Sequence, residues 1–136
     1  MKDIINAIQI VTTAIGGYLG WLLGGWDGFL FALLAFVIID YLTGVMVAIA
    51  EKQLSSEVGA TGIMKKILIF MLVAVANVID TEFIKSGGAI RTAVIFFYLS
   101  NEGISILENT AKIGLPIPEK LKAVLAQLSK EDSAHD

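Results

Sequence analysis

The sequence predicts an all-α membrane protein with about four transmembrane helices and a short C-terminal amphipathic helix. Three observations support this: four long apolar blocks, short polar joints between them, and a composition with 56% hydrophobic residues. Each block has about the 17–25 residues that an α-helix needs to cross a hydrocarbon core. A segment in lipid must satisfy its own backbone hydrogen bonds, so each block is expected to be a helix. The blocks are Ile4–Gly25, Phe29–Ala50, Ile63–Ile79 and Ala89–Leu107.

The first and fourth blocks are interrupted by polar residues, so three spans remain an alternative to four. The interruptions are Gln9, Thr12 and Thr13 in the first block and Asn101, Glu102 and Ser105 in the fourth. The apolar run after Met1-Lys2 also has the position of a signal peptide. This run is longer than the hydrophobic core of a typical signal peptide, and no A-x-A-like cleavage site follows it. We therefore expect the block to remain in the protein as a helix.

Glycines recur every four residues in the first block, at Gly16, Gly20 and Gly24. This spacing puts them on one helix face, where the missing side chains let a second helix approach closely. Gly44 offers a similar small surface in the second block. We therefore expect these glycines to be helix-packing positions, although glycine is also simply common in membrane helices.

Two carboxylates are predicted to lie inside the membrane at a similar depth. At about 1.5 Å per residue, Asp40 lies about 18 Å from Gly28, and Glu102 lies about 20 Å from Ala89. An unpaired charge there costs about 2.5–3.5 kcal/mol on insertion scales. Lys65 and Lys66, near the inner end of the third block, are candidate charge partners because a lysine stem can carry its ammonium group along an apolar surface.

Further polar residues in the spans are candidates for a buried or gating role. Asn101 and Ser105 belong with Glu102 to a polar stripe on the fourth helix, and Asp80 and Arg91 are candidates for a second ion pair in the outer half. For any one of these residues, a hydrogen bond that only joins two helices is the alternative interpretation.

The distribution of basic residues predicts the topology. With both termini on one side, that side carries eight of the ten Lys and Arg residues, and only Lys85 and Arg91 lie on the other. The positive-inside rule therefore predicts that both termini are cytoplasmic. The longest joint between blocks is Glu51–Gly62.

The tail has a different character from the blocks. Pro116 and Pro118 end the preceding helix, and the apolar spacing within Glu119–Leu128 predicts an amphipathic helix. This helix is expected either to lie on anionic lipid or to dock on the bundle. Ser129–Asp136 is charged and expected to be disordered. We thus divide the chain into a transmembrane bundle, 1–112, and a cytoplasmic tail, 113–136.

Composition excludes several classes of function. The chain has no Cys, and its one His, His135, lies in the acidic tail, so we expect no metal site and no cofactor. No basic stripe is interleaved with aromatic residues, which argues against nucleic-acid binding. The carboxylates have no accompanying nucleophile or phosphate loop, so we do not expect an enzyme.

An ordered set of motifs covers nearly the whole chain and resembles one family. The motifs are Asp40-Tyr41-Leu42-Thr43-Gly44, Ser55-Ser56, Gly59-Ala60-Thr61-Gly62-Ile63-Met64-Lys65-Lys66, the run Asn77–Asp80, the run from Tyr98 to Asn109, and Gly114-Leu115-Pro116-Ile117-Pro118. Together they resemble the phage holins of the toxin-secretion/phage-lysis type.

The resemblance implies a small, enzymatically inactive protein that forms homo-oligomers in the bacterial inner membrane. It implies that the oligomer permeabilises the lipid bilayer at a set time, so that a cell-wall hydrolase reaches its substrate and the host lyses. In some clostridial relatives the same route is linked to toxin release. Two other classes stay open from the residues: a small proton-coupled transporter that uses Asp40 or Glu102, and a membrane scaffold.

Overall fold

The computed structural model describes residues 1–134, with side chains described to residue 128. This part of the chain is helical and contains no strand. The helices are α1 (Lys2–Leu22), α2 (Gly28–Ala50), α3 (Ser56–Val78), α4 (Ala89–Ile113) and α5 (Glu119–Ala134), and a π-helical segment (Ile79–Ile84) continues α3. Among the described residues, α1, α2, α3 with its continuation, and α4 are long and apolar enough to cross a membrane. The predicted fold class is confirmed.

Side-chain caps set the starts of α2 and α3. The Asp27 carboxylate accepts a hydrogen bond from the Leu30 backbone N–H at 2.9 Å, and the Ser55 hydroxyl accepts one from Val58 at 3.1 Å. Because Ser55 caps the helix, α3 begins at Ser56 and not at the first strongly apolar residue, Ile63. The predicted polar joint Glu51–Gly62 is therefore wrong over most of its length: it contains the first two turns of α3.

The core lies between α2, α3 and α4. Leu30, Leu33, Val73 and Ile95 are fully buried there. By contrast, only 6% of the apolar stretch of α1 is buried, against 22–33% for the other three. Helix α1 therefore lies at the periphery of the bundle, with nearly all its side chains available to lipid or to another chain.

The C-terminal helix α5 folds back on the bundle. Leu125 is only 5% exposed because its side chain fills the space above Gly103, beside Phe36. Of the two placements left open by the sequence, the structure shows docking. The predicted disorder is wrong for residues 129–134, which continue α5. His135 and Asp136 lie outside the described residues.

The joints between the helices lie at two opposite ends of the bundle. We name the end that carries the N-terminus, the α2–α3 joint and the end of α4 the inner end, after the orientation that the basic residues predict. The outer end carries the α1–α2 turn and the joint between the π-helical segment and α4.

Candidate functional site

A lysine lies between two carboxylates in the inner half of the bundle. Lys66 Nζ on α3 donates to the Asp40 carboxylate on α2 and to Glu102 Oε2 on α4, the latter at 2.6 Å. The Asp40 and Glu102 side chains are 7% and 8% exposed. These three residues form an ion cluster, which joins all three core helices at one level.

Asn109 and Thr43 complete the hydrogen bonding of Asp40. Asn109 Nδ2 donates to Asp40 Oδ1 at 3.1 Å and to Thr43 Oγ1 at 3.0 Å. The Thr43 hydroxyl donates in turn to the backbone carbonyl of Ile39 at 2.9 Å. No buried side-chain nitrogen or oxygen in the described residues lacks a partner. The bundle therefore satisfies its buried polar groups, as burial demands.

The ion cluster holds two carboxyl groups but one ammonium group. One ammonium group can balance the charge of only one ionised carboxylate. Taking ions out of water costs several kcal/mol each, and mutual attraction offsets this only when the geometry is good. The cluster is therefore held together by these direct bonds, and its residues would gain hydration if the helices moved apart.

A cavity of about 240 Å³ adjoins the ion cluster on the side of α2 and α3. Its polar lining comes from Asp40, Lys66, Ser105 and Asn109. Its other lining residues are Tyr41, Gly44, Val45, Ala48, Leu54, Val58, Gly59 and Gly62. The polar groups of the site thus face a space that is large enough for small molecules.

A second polar site fastens the outer end. Arg91 on α4 donates from Nη1 to Asp27 Oδ2 at 2.8 Å, from Nε to the Leu23 carbonyl at 2.5 Å and from Nη2 to the Gly25 carbonyl at 3.0 Å. Asn77 Nδ2 donates to the Leu22 carbonyl at 3.0 Å. The hydrogen bond from Arg91 holds the pKa of Asp27 below its usual value of 3.8. These contacts form an outer clamp, which fixes the α1–α2 turn to α3 and α4.

The expected ion pair between Asp80 and Arg91 is not a side-chain pair. The Asp80 carboxylate accepts from the backbone N–H groups of Arg91 at 2.7 Å and Ile90 at 3.2 Å, and from the Ser86 hydroxyl. It therefore caps the start of α4, where the unpaired N–H groups and the helix dipole favour an anion. The Arg91 guanidinium group binds Asp27 instead.

The glycines of the first block have three different surroundings. A Cβ added at Gly16 would have no atom within 4 Å, whereas Gly20 lies beneath the Trp26 indole ring. The expectation that Gly24 belongs to the same helix face is wrong, because α1 ends at Leu22. Gly24 lies in the turn at φ +92°, and a side chain there would meet Arg91 and Asn77 at 2.5–2.6 Å.

The remaining predicted residues lie close to the ion cluster or point away from it. Ser105 lines the cavity beside Asp40, and a Cβ added at Gly44 would lie 3.8 Å from the Asn109 amide. Asn101 and Lys65 are exposed on the surface of the bundle. Of the two lysines proposed as charge partners, Lys66 thus reaches the carboxylates.

Sequence reasoning missed Asp27 and Asn77 as parts of the outer clamp. Asp27 had a local signal, since an Asp directly before an apolar helix is a typical N-cap. Asn77 had no local signal for this contact, because a hydrogen bond from a side-chain amide to a carbonyl 55 residues away leaves no pattern in the sequence.

Comparison with known proteins places this architecture in a family. The sequence profile of the bacteriophage holin family matches residues 17–130. A 14.9 kDa protein of Clostridium perfringens is 44% identical over 131 residues, which cover 96% of this chain and 99% of the relative. A Listeria innocua protein is 39% identical, covering 95% and 94% of the two chains.

A relative from a phage has a functional name. A probable holin of Bacillus phage phi105 is 44% identical over 86 residues, 63% of each chain. No solved structure matches the chain. Because the family profile covers more than half of its length, the chain belongs to the bacteriophage holin family, and it is a multi-pass membrane protein.

Proposed function

We propose that this protein oligomerises in the bacterial cytoplasmic membrane and permeabilises it, so that a cell-wall hydrolase or a secreted toxin can cross. Family membership and the probable holin among its relatives support this proposal. The observation that carries the mechanism is the ion cluster, which joins α2, α3 and α4 inside an otherwise apolar bundle.

The cluster gives the bundle two alternative ways to satisfy its charges. In the closed arrangement, Lys66 binds both carboxylates directly. When helices separate in lipid, each unpaired charge costs about 2.5–3.5 kcal/mol or more, unless water replaces the lost partner. Rearrangement is therefore favourable only if it brings water to Asp40 and Glu102, which is the condition met by a water-filled lesion.

Helix α1 is the proposed association element. It is the least buried of the four spans, and a Cβ at Gly16 would meet no atom within 4 Å, although the Trp26 indole N–H donates to the Gly16 carbonyl at 3.0 Å. A second helix can approach closely at such a position. At Gly20 the Trp26 ring already covers the surface, so association there requires the ring to move.

The proposed topology places both termini and the ion cluster towards the cytoplasm. It rests on the eight-to-two distribution of basic residues. Fusing a reporter that is active only in the cytoplasm to each terminus tests it. Activity at one terminus and not at the other would contradict an even number of spans.

Induced expression in bacteria tests the proposed function. Membrane potential and culture density are followed with and without a co-expressed cell-wall hydrolase that lacks its own export signal. We expect abrupt depolarisation in both cultures and lysis only in the culture with hydrolase. Asp40→Asn and Glu102→Gln should shift the onset at matched protein levels, whereas Glu51→Gln, an exposed control at the inner end, should not.

Two outcomes would contradict the proposal. A stable membrane potential throughout expression would exclude permeabilisation. Proton-coupled resistance to a toxic substrate without depolarisation would instead favour the transporter alternative. Unchanged timing in both carboxylate variants would remove the ion cluster from the mechanism but leave permeabilisation intact.

A further inference from the structure

We propose that the cavity beside the ion cluster is a water-filled vestibule, which opens at the inner end and stops at an apolar layer just beyond Lys66. The resting protein would thus be hydrated on the inner side of this layer and dry across the layer itself. The inference concerns the protein before any lesion forms, and only its assignment to the cytoplasmic side rests on the proposed function.

The shape of the cavity connects the ion cluster with the inner end. Leu54 and Val58, near the α2–α3 joint, line one end and are about half exposed. Asp40 and Lys66 line the other end, and each is ten residues, or about 15 Å, from the inner end of its helix. The cavity therefore follows α2 and α3 from their joint to the charged residues.

The deep end offers water the hydrogen-bond partners that it needs. Asp40, Lys66, Ser105 and Asn109 all contribute polar side chains there. A buried water needs two to four polar partners and occupies about 30 Å³ in the liquid, so a space of 240 Å³ holds several molecules. The ion cluster adds a further reason for water to enter, because taking ionised groups out of water costs several kcal/mol each.

Lipid fits this cavity poorly. A phospholipid at the inner end would place its polar headgroup at the mouth and its acyl chain at the deep end. Here the arrangement is reversed, with Ala48, Leu54 and Val58 towards the mouth and the charged residues at the deep end. An acyl chain would therefore have to lie against Asp40 and Lys66, at the cost of leaving their remaining hydrogen-bonding capacity unused.

An apolar layer closes the vestibule towards the outer end. One turn from the ion cluster, each core helix contributes a buried apolar residue: Val37 from α2, Ile69 from α3 and Leu99 from α4. Beyond them, Leu33, Val73 and Ile95 are fully buried. A well-packed apolar layer without polar partners stays dry.

The absence of cysteine makes the vestibule testable by single-cysteine labelling. Val45→Cys and Ser105→Cys place a thiol on the cavity wall. Two lipid-facing controls on α2 are Met46→Cys, adjacent to Val45, and Leu42→Cys, one turn deeper; their native side chains are 58% and 53% exposed. Full-length variants are treated with a charged, membrane-impermeant methanethiosulfonate in inside-out vesicles and, separately, in spheroplasts.

We expect both cavity thiols to react at least about tenfold faster than both controls in inside-out vesicles, because the reactive thiolate forms in water and not in hydrocarbon. In spheroplasts all four should be unreactive. Equal reactivity of the cavity and control thiols in vesicles would overturn the vestibule, as would a lack of reaction at Val45→Cys and Ser105→Cys on both sides. Faster labelling of the cavity thiols in spheroplasts would support the vestibule but reverse the proposed topology. None of these labelling results bears on depolarisation in the expression test.

Discussion

Lys66 is the residue on which the inner half of the bundle most depends, because it is the one cation among the described side chains that pairs with Asp40 and Glu102. Removing one partner of a buried pair typically costs about 3–5 kcal/mol, since the other partner stays buried and uncompensated. We expect Lys66→Met to lower the free energy of unfolding in detergent by about this amount. Denaturant titration of the purified protein followed by circular dichroism measures it.

Lys65 provides a matched control for this substitution. It is adjacent in sequence but exposed, so Lys65→Met should change the stability by no more than about 0.5 kcal/mol. Adding Asp40→Asn and Glu102→Gln to Lys66→Met should restore much of the loss, because the neutral set leaves no charge uncompensated. Equal losses for the two lysine variants would mean that the bonds of Lys66 are unimportant for stability.

The outer clamp predicts a pH dependence with a defined sign. The pKa of Asp27 is lowered in the folded protein from its usual 3.8, chiefly by the hydrogen bond from Arg91. A lowered carboxyl pKa contributes stability above the unfolded value, and this contribution is lost as the pH falls through the folded value. The stability difference between wild type and Asp27→Asn should therefore be constant from neutral pH to about pH 5 and shrink below about pH 4. A difference that stays constant under acid conditions would show that the carboxylate charge is not involved.

At the scale of elements, the docking of α5 depends on one side chain. Leu125 is buried against Gly103, whereas its neighbour Val124 is 57% exposed. Truncating a buried Leu to Ala typically costs about 2–5 kcal/mol, so Leu125→Ala should release α5 from the bundle. Limited trypsin digestion should then cleave faster at Lys120 and Lys122, while Val124→Ala digests like wild type. Identical digestion of the two variants would argue that Leu125 does not hold the helix.

Helix α1 allows association to be tested apart from folding. A Cβ at Gly16 would meet no atom within 4 Å, so Gly16→Leu should leave the monomer intact but block close approach of a second helix. The control is Ala14→Leu, which introduces a leucine at an exposed position about 200° around the helix axis from Gly16. Chemical crosslinking in membranes should give fewer oligomers for Gly16→Leu alone. Wild-type levels of crosslinked oligomers in both variants would exclude this face as a contact.

For the whole molecule, hydropathy predicted the four spans because lipid exposure determines composition over a full span. It did not predict where α3 begins, since the Ser55 cap and not the apolar run determines that position. The missed turns of α3 matter for the proposed vestibule, because Val58, Gly59 and Gly62 line the cavity.

For the polar sites, the sequence predicts only the depth of each residue, because depth can be counted along a helix. Depth places Asp40 and Glu102 at one level, and the structure joins them through Lys66. Which of Lys65 and Lys66 reaches the carboxylates depends on the rotation of α3 about its own axis. The sequence does not determine this rotation, because α3 is only weakly amphipathic. Asp80 and Arg91 were predicted to pair because both lie at the outer end. Instead, Asp80 caps the start of α4, and the Arg91 side chain binds Asp27 in the α1–α2 turn.

Release of contents from liposomes tests the central claim most directly. Purified protein is reconstituted into liposomes of bacterial lipid that hold both a small fluorescent dye and a labelled folded protein the size of a cell-wall hydrolase. If the chain forms lesions that pass a hydrolase, both contents should leave the same liposomes above a threshold protein density, and Gly16→Leu should raise that threshold. Retention of the folded protein at every density, with or without loss of the dye, would contradict the account.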